Sequence, residues 1–162
     1  MDIYKKRGHE KMTVHDFIVT YNETFKFIED KYGVEAVKDL WKTISEEWCT
    51  HLDELIRTKG LEGMVEYWGG EGGTLGREKA EYEINLKDGV FSGIMHECPS
   101  VKELHERNRK VYNGKLTYCD HCPALYAPVA EKYGIKMTFG IEHDEDGECT
   151  GKCTWGASHY SL

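Results

Sequence analysis

Two thiols and an imidazole lie close together in the segment Tyr118–Pro123, which reads YCDHCP. The segment is predicted to lead from a loop into a helix, and a helix N-terminus lowers the pKa of a nearby thiol. Because thiolate is both the nucleophilic and the metal-binding form of cysteine, a reactive or metal-bound centre is chemically reasonable here. The alternative is that these thiols are reduced and partly buried, since free cysteine packs as a small hydrophobic side chain.

The remaining cysteines are spread through the chain: Cys49, Cys98, Cys149 and Cys153. Zinc is held by four nitrogen, sulfur or oxygen donors in a tetrahedron. Contact between a helix and a sheet could bring together Cys119 and Cys122 from a helix start with Cys149 and Cys153 from one hairpin. The spacing of Cys119 and Cys122 also permits redox chemistry, but no thioredoxin-like strand–helix–strand pattern surrounds them.

A second group with chemical potential is His96, Glu97 and Cys98, at the end of a predicted strand. An imidazole, a carboxylate and a thiol at a strand–helix junction suit acid–base or nucleophilic catalysis. Because neighbouring residues of a strand point to opposite faces, we expect His96 and Cys98 to share a face and Glu97 to point away. His121 and His143 are further candidates for moving protons, since imidazole titrates near neutral pH.

The chain has 162 residues, enough for one domain with a hydrophobic core. Its net charge of −8 argues against general binding to nucleic acid or to an anionic membrane. No apolar run approaches transmembrane length, and the N-terminus does not read as a signal peptide. We therefore predict a cytoplasmic protein with reduced thiols rather than a disulfide framework. The sequence leaves a homodimer open.

Residues 1–12 are predicted to form a flexible tail, and residues 13–162 a single α+β domain. Its helical part covers residues 13–68, where apolar residues recur at three- and four-residue steps. Gly33 and Gly60 are predicted to end the first two helices, and a shorter third helix follows.

The second part of the domain, residues 79–156, alternates apolar and polar residues with a period of two. Two hairpins, with turns at Lys87–Gly89 and Asp144–Gly147, are predicted to build one antiparallel sheet of about four strands. Helices should cover one face of this sheet and leave a pocket between the layers. The glycine-rich residues 69–73 lack the ending of a phosphate-binding loop, so we predict a flexible connection or a lid.

Three features of this second part carry a resemblance to a known family. They are Cys98 before a proline, Cys119 before a helix, and the segment Gly151–Trp155, which reads GKCTW. In these features the chain, over roughly residues 80–156, resembles the L-2-amino-thiazoline-4-carboxylic acid hydrolase-like family. Those proteins are small bacterial chains named for hydrolytic opening of a thiazoline acid. The resemblance implies a hydrolase that acts on a C–N bond of a small heterocyclic or amide-like substrate.

Four residues of the same half carry a second resemblance: Cys119, Glu142, Cys149 and Cys153. In these the chain is similar to the vinyl-4-reductase small-molecule-binding domains, where such residues bind zinc beside a pocket for an aromatic or hydrophobic ligand. The resemblance implies zinc, with these four residues as its ligands. The sequence departs from that pattern, because Gly151 comes one position earlier and Glu142 and Cys149 are further apart. Cys122 and His143 are therefore rival ligands, the latter because strand alternation puts it on the apolar face.

The leading interpretation is a small hydrolase in which a metal-bound water, or the thiolate of Cys98 or Cys119, attacks the substrate. Tyr126 and Trp68 are the candidates for contacting the substrate, and lysines or arginines within 107–115 for holding its carboxylate. The alternative is a non-catalytic small-molecule-binding module of the vinyl-4-reductase kind with a structural zinc. A closed metal site beside a dry apolar pocket favours binding, whereas an exposed thiol of low pKa next to histidine favours catalysis.

Overall fold

The structure is a computed structural model that describes residues 14–160, so the predicted tail, residues 1–12, lies outside the described residues. The first half consists of helices: α1 (Val14–Tyr32), α2 (Val34–Trp48), α3 (Thr50–Lys59), α4 (Leu61–Trp68) and α5 (Thr74–Arg77). The second half contains the strands and two longer helices: β1 (Glu81–Lys87), β2 (Val90–Glu97), α6 (Pro99–Glu106), α7 (His121–Glu131), β3 (Ile135–His143) and β4 (Cys149–His159). A short 3₁₀ helix, Tyr118–Asp120, precedes α7.

The four strands form one open antiparallel sheet in the order β1-β2-β4-β3. Alternate residues of β2 are buried, as expected for a sheet with one face against the core and one face in solvent. The first hairpin turns at Asp88 and Gly89, whose positive φ angles of 52° and 74° fit the two-residue turn that matches strand twist. The predicted α+β fold, with helices followed by two hairpins in one sheet, is confirmed.

The core lies between the helices and the inner face of the sheet. Its largest fully buried side chains come from both layers: Trp41, Phe25, Phe91, Leu52, Met64 and Leu104. Among residues 14–160, no helix is both long enough and apolar enough to cross a membrane.

The second predicted helix is divided into α2 and α3 at Cys49, whose φ and ψ of −79° and 29° leave the helical range. Trp48 shares the apolar spacing of this second predicted helix, but its side chain is 76% exposed. The break at Cys49 redirects the chain, so Leu52 of α3 is buried while Trp48 faces solvent. The helical periodicity of apolar residues does not reveal such a break, because the apolar spacing continues across it.

Two boundaries in the second half bear on the site. Helix α6 has Cys98 as its N-cap and Pro99 as its first residue. Proline suits this position because its missing N–H would have no partner in the first turn. Strand β4 continues to His159, beyond the predicted sheet part of residues 79–156, since β3 pairs with it along that length.

Asn22 of α1 fixes the loop that leads to the Tyr118–Pro123 segment. Its side chain is fully buried, its Oδ1 accepts the N–H of Tyr112 at 2.7 Å, and its Nδ2 donates to the carbonyl of Lys110 at 3.1 Å. Tyr112 in turn accepts the N–H of Tyr118 at 2.8 Å through its carbonyl. Because buried main-chain groups need partners, α1 thereby positions the start of the 3₁₀ helix.

Replacing Asn22 by alanine should lower the free energy of unfolding by about 2 kcal/mol, because the N–H of Tyr112 loses its partner in a buried place. Urea unfolding of wild type and variant measures the change. Thr20→Ala is the matched control, since it also replaces a polar residue of α1 by alanine but on the exposed side. It should change stability by no more than about 0.5 kcal/mol. Equal effects of both substitutions would contradict the role given to Asn22.

Candidate functional site

A cavity of about 330 Å³ lies between the inner face of the sheet and helices α4, α5 and α7. Five aromatic side chains line it: Tyr67, Trp68, Tyr126, Phe139 and Trp155. Three thiols and one imidazole also line it: Cys98, Cys122, Cys153 and His121. Most of the remaining wall is formed by small or apolar side chains: Thr74, Leu75, Met95, Pro99 and Ser100. Glu78 completes the lining.

Trp68 is the centre of the aromatic wall. Its ring centroid lies 5.4 Å from that of Tyr126 of α7 and 6.0 Å from that of Trp155 of β4, both at steep angles. Phe91 of β2 packs behind it, with a centroid distance of 5.6 Å. These edge-to-face and tilted contacts are the arrangements that aromatic pairs prefer. The same rings therefore join the layers and line the cavity.

Gly93 allows Trp155 to lie flat on the sheet. The two residues are cross-strand partners on β2 and β4, and a Cβ at position 93 would come within 2.4 Å of the indole ring. A glycine in a strand interior is costly unless something packs closely on it, and here the indole does. Among the described residues, the indole N–H of Trp155 is buried without a hydrogen-bond partner.

The glycine-rich segment builds one wall of the cavity. A Cβ at Gly73 would lie 2.1 Å from the carbonyl oxygen of Gly69, and one at Gly76 would lie 1.9 Å from that of Gly70. Only glycine fits so close to the main chain, so the segment folds tightly against α5. This short helix, which the sequence did not predict, brings Glu78 to the cavity.

The thiols that line the cavity are held in their protonated form. Burial raises the pKa of Cys98 to about 11, and it raises the pKa values of Cys122 and Cys153 to about 12 each. Desolvation disfavours the charged thiolate, so near neutral pH these groups are thiols. A thiol is a weak nucleophile and a weak hydrogen-bond donor, and the cavity therefore presents mostly neutral, soft groups to a ligand.

His121 and Cys122 form a pair inside the cavity. The carbonyl of Tyr118 can only accept, so Nδ1 of His121 is the donor in their hydrogen bond. Burial lowers the pKa of His121, which leaves Nε2 as an unprotonated acceptor. The thiol of Cys122 lies 3.6 Å from this Nε2 and can donate to it. The pair is therefore a neutral thiol beside a neutral imidazole.

Cys119 and Cys149 form a separate thiol pair that does not line the cavity. The N–H of Cys119 donates to Sγ of Cys149 at 3.4 Å. The thiol of Cys119 also donates to this sulfur, which lowers the pKa of Cys149 and raises the pKa of Cys119. Thr117 and His143 lie close to Cys149 and lower its pKa further. The arrangement therefore favours one proton shared by the pair, with the negative charge on Cys149.

The predicted zinc ligands do not form one donor set. Glu142 is exposed, and its carboxylate accepts the hydroxyl of Thr150 at 2.9 Å. His143 is also exposed rather than on the apolar side, because the strand register shifts between Ile141 and this residue. Its Nε2 lies 3.5 Å from the hydroxyl of Thr117.

Cys153 lines the cavity, whereas Cys119 and Cys149 do not. Within residues 14–160, no three His, Cys, Asp or Glu side chains are grouped closely enough to hold a metal ion. The donors as arranged do not fit zinc, and the zinc site stays a prediction from the resemblance.

The structure does not bring His96 and Cys98 together, contrary to our expectation that they share a face. His96 is exposed on the outer face of β2, where its Nε2 lies 2.8 Å from a carboxylate oxygen of Glu83. The strand ends at Glu97, so Cys98 no longer follows the alternation and instead caps α6 and lines the cavity. Among the described residues, none of the lysines or arginines within 107–115 lines the cavity.

Trp68 and Tyr126, predicted as substrate contacts, both line the cavity, as do Cys98 and His121 from the predicted catalytic group. Sequence reasoning missed Glu78 and Leu75, which α5 brings to the cavity. A four-residue helix after a run of glycines has too few residues for a periodic signal.

No model of a known protein family matches the chain, and no curated protein matches its sequence significantly. Among solved structures, the chain is similar to a trafficking protein particle complex subunit 3 from Naegleria fowleri, in a crystal structure with covalently bound palmitic acid. The two chains are 10% identical, the match covers 91% of this chain and 95% of the other, and the TM-score is 0.49. The similarity is distant, and the two resemblances found in the sequence stay predictions.

The thiol pair makes a testable prediction. The native protein should hold one thiolate whose ultraviolet absorbance persists below the usual cysteine pKa of about 8.5 and disappears at lower pH. Because the pKa of Cys149 is lower in the folded than in the unfolded chain, its thiolate stabilises the fold, and this stabilisation is lost as the pH falls through the folded value. Above about pH 8.5 the raised pKa of Cys119 acts in the opposite direction, since the unfolded chain then ionises both thiols. The absorbance step should be absent from Cys149→Ser and retained in Cys122→Ser, whose thiol is protonated in the wild type. A step that survives in Cys149→Ser would assign the thiolate elsewhere.

Proposed function

We propose that the chain is a binding domain for a small, mostly apolar molecule, held in the cavity between the helices and the sheet. The observation that carries this proposal is the cavity itself, whose volume of about 330 Å³ lies within the range of small-molecule sites. Aromatic walls with a small number of polar groups are the usual composition of such sites. A cytoplasmic location belongs to the proposal, because it would keep the six free cysteines reduced.

The protonation of the thiols supports binding over catalysis. Thiolate is the nucleophilic form of cysteine, and burial holds Cys98, Cys122 and Cys153 as thiols. Cys149, whose pKa is lowered, is 2% exposed and lies outside the cavity lining. Of these lining thiols, Cys122 has a base within reach, Nε2 of His121, so a cysteine nucleophile in the cavity would depend on that contact rather than on a resting thiolate.

The charges of the lining also bear on the ligand. Among the described residues, no lysine or arginine lines the cavity, and burial keeps His121 neutral. A substrate carboxylate would have to leave water without a cationic partner, which is costly. This weighs against a thiazoline carboxylate and supports an uncharged or cationic ligand.

The proposal is tested with 2-phenylethanol, a neutral aromatic probe smaller than the cavity. Calorimetric titration should show saturable binding to the wild type. Cys153→Phe should weaken binding at least about tenfold, because Cys153 lines the cavity and the added ring would occupy it. Thr154→Phe places the same ring on the outer, exposed face of β4 and should bind as the wild type does.

Circular dichroism shows whether both variants keep the fold. Absence of saturable binding to the wild type, both of this neutral probe and of its cationic counterpart 2-phenylethylamine, would contradict the proposed function. Binding that Cys153→Phe leaves unchanged would place the probe outside the cavity.

A second candidate, hydrolysis of a C–N bond, is favoured by the contact between His121 and Cys122. Nε2 of His121 is positioned to take the proton of Cys122 as its sulfur attacks a bound electrophile. If the chain is such a hydrolase, turnover of 2-amino-thiazoline-4-carboxylate followed by liquid chromatography should fall at least about a hundredfold in Cys122→Ala and in His121→Ala. Cys49→Ala, a buried thiol outside the cavity, should retain turnover. If the wild type hydrolyses this substrate no faster than buffer alone does, this candidate activity is contradicted.

A further inference from the structure

We propose that the cavity selects small aromatic molecules that carry a protonated amine, with the ammonium group held by the carboxylate of Glu78. This inference rests on the proposed function, because it names the chemical class of ligand for the same cavity. The first observation is the charge of the cavity lining. Of the described residues that line the cavity, Glu78 is the one that carries a carboxylate. The remaining titratable groups there are tyrosines, thiols and a histidine, none of which carries positive charge near neutral pH.

Glu78 lies at the mouth of the cavity. Its side chain contributes to the lining and is also exposed to solvent. Its main chain is anchored, because its N–H donates to the carbonyl of Thr74 at 3.2 Å at the end of α5. Within residues 14–160, its carboxylate takes part in no hydrogen bond or ion pair. The carboxylate is therefore available to a ligand.

The negative charge of Glu78 is close enough to act on other groups of the lining. Burial is the main cause that raises the pKa values of Tyr67, Cys98 and Cys122, and the nearby charge of Glu78 adds to it. Partial burial raises the pKa of Glu78, and the positive charges of Arg77 and His15 oppose this shift. An ammonium ion bound there would restore the favourable interaction that the carboxylate loses with water.

Two basic side chains lie close enough to act electrostatically on Glu78: Arg77 and His15. Neither lines the cavity. His15 is already engaged, because its Nδ1 lies 2.7 Å from a carboxylate oxygen of Glu103. Arg77, the last residue of α5, is exposed. Among the described residues, no cationic side chain lines the cavity beside Glu78, and we infer that the ligand supplies this charge.

The aromatic wall favours the same class of ligand. Rings attract a cation that lies over their faces, and they also pack against an aromatic body. Trp68 of α4, Tyr126 of α7 and Trp155 of β4 all contribute to the lining. A ligand with an aromatic ring at one end and an ammonium group at the other would place the ring among these side chains and the charge beside Glu78.

The test compares three probes with one skeleton: 2-phenylethylamine, 2-phenylethanol and 3-phenylpropionate. At about pH 7.5 the first is a cation, the second is neutral and the third is an anion. Wild-type protein should bind the amine about tenfold more tightly than the alcohol, because a hydrogen bond to a charged group is added. The propionate should bind more weakly than the alcohol. Calorimetric titration of all three measures the order.

Glu78→Gln keeps the shape of the side chain and removes its charge. In this variant the advantage of the amine should vanish, while the affinity for the alcohol should change less than about twofold. Glu71→Gln is the matched control, since it removes the same charge from the neighbouring glycine-rich segment but lies outside the cavity lining. It should retain the preference for the amine.

The outcomes separate the two proposals. If the alcohol binds but the wild type does not prefer the amine, the inference about Glu78 is overturned and the proposed binding function stands. If the amine keeps its advantage in Glu78→Gln, another group holds the ammonium and the inference is likewise overturned. If none of the three probes binds, both the inference and the proposed function are overturned.

Discussion

The packing of Trp68 is the interaction on which the arrangement of helices and sheet depends. This residue ends α4, is 5% exposed, and contacts Phe91 of β2, Trp155 of β4 and Tyr126 of α7. One indole therefore fixes two helices against two strands. Flat rings that meet edge to face do not fill all the space between layers, and the cavity is the space that they leave. The fold and the site are thus two consequences of the same contacts.

Burial in this layer also decides which chemistry the thiols can do. The thiols that line the cavity are protonated because the same apolar walls that form the cavity exclude water from them. Cys149 differs because the thiol of Cys119, and also its main-chain N–H, donates a hydrogen bond to the sulfur of Cys149, which favours the thiolate. Desolvation therefore keeps the thiols of the cavity lining neutral, whereas hydrogen bonding favours a thiolate in the separate pair of Cys119 and Cys149. Proximity of cysteines in the fold alone does not make a metal site.

Much of the fold followed from periodicity, and less of the site did. The two hairpins were predictable because apolar residues alternate strictly and Asp88 with Gly89 marks a tight turn. The break at Cys49 was not, because the apolar spacing runs through it. Trp68 and Tyr126 were predictable as lining residues, since both lie on helices that must cover the sheet. Glu78 was not, because its position depends on the close main-chain packing of a glycine-rich segment, which leaves no periodic signal.

The four zinc ligands predicted from the sequence follow the expected order along the chain, but their side chains do not meet at one point. A cysteine before a helix and a cysteine on a hairpin do meet here, as Cys119 and Cys149. The third predicted ligand, Cys153, follows β4 inward to the cavity, and Glu142 points outward from β3. Strand alternation sends Glu142 outward because positions an odd number of residues from Ile141 lie on the opposite face. The sequence pattern fixes only the order of these residues along the chain. A metal site also needs their side chains on the same face of the sheet, and here Cys153 and Glu142 lie on opposite faces.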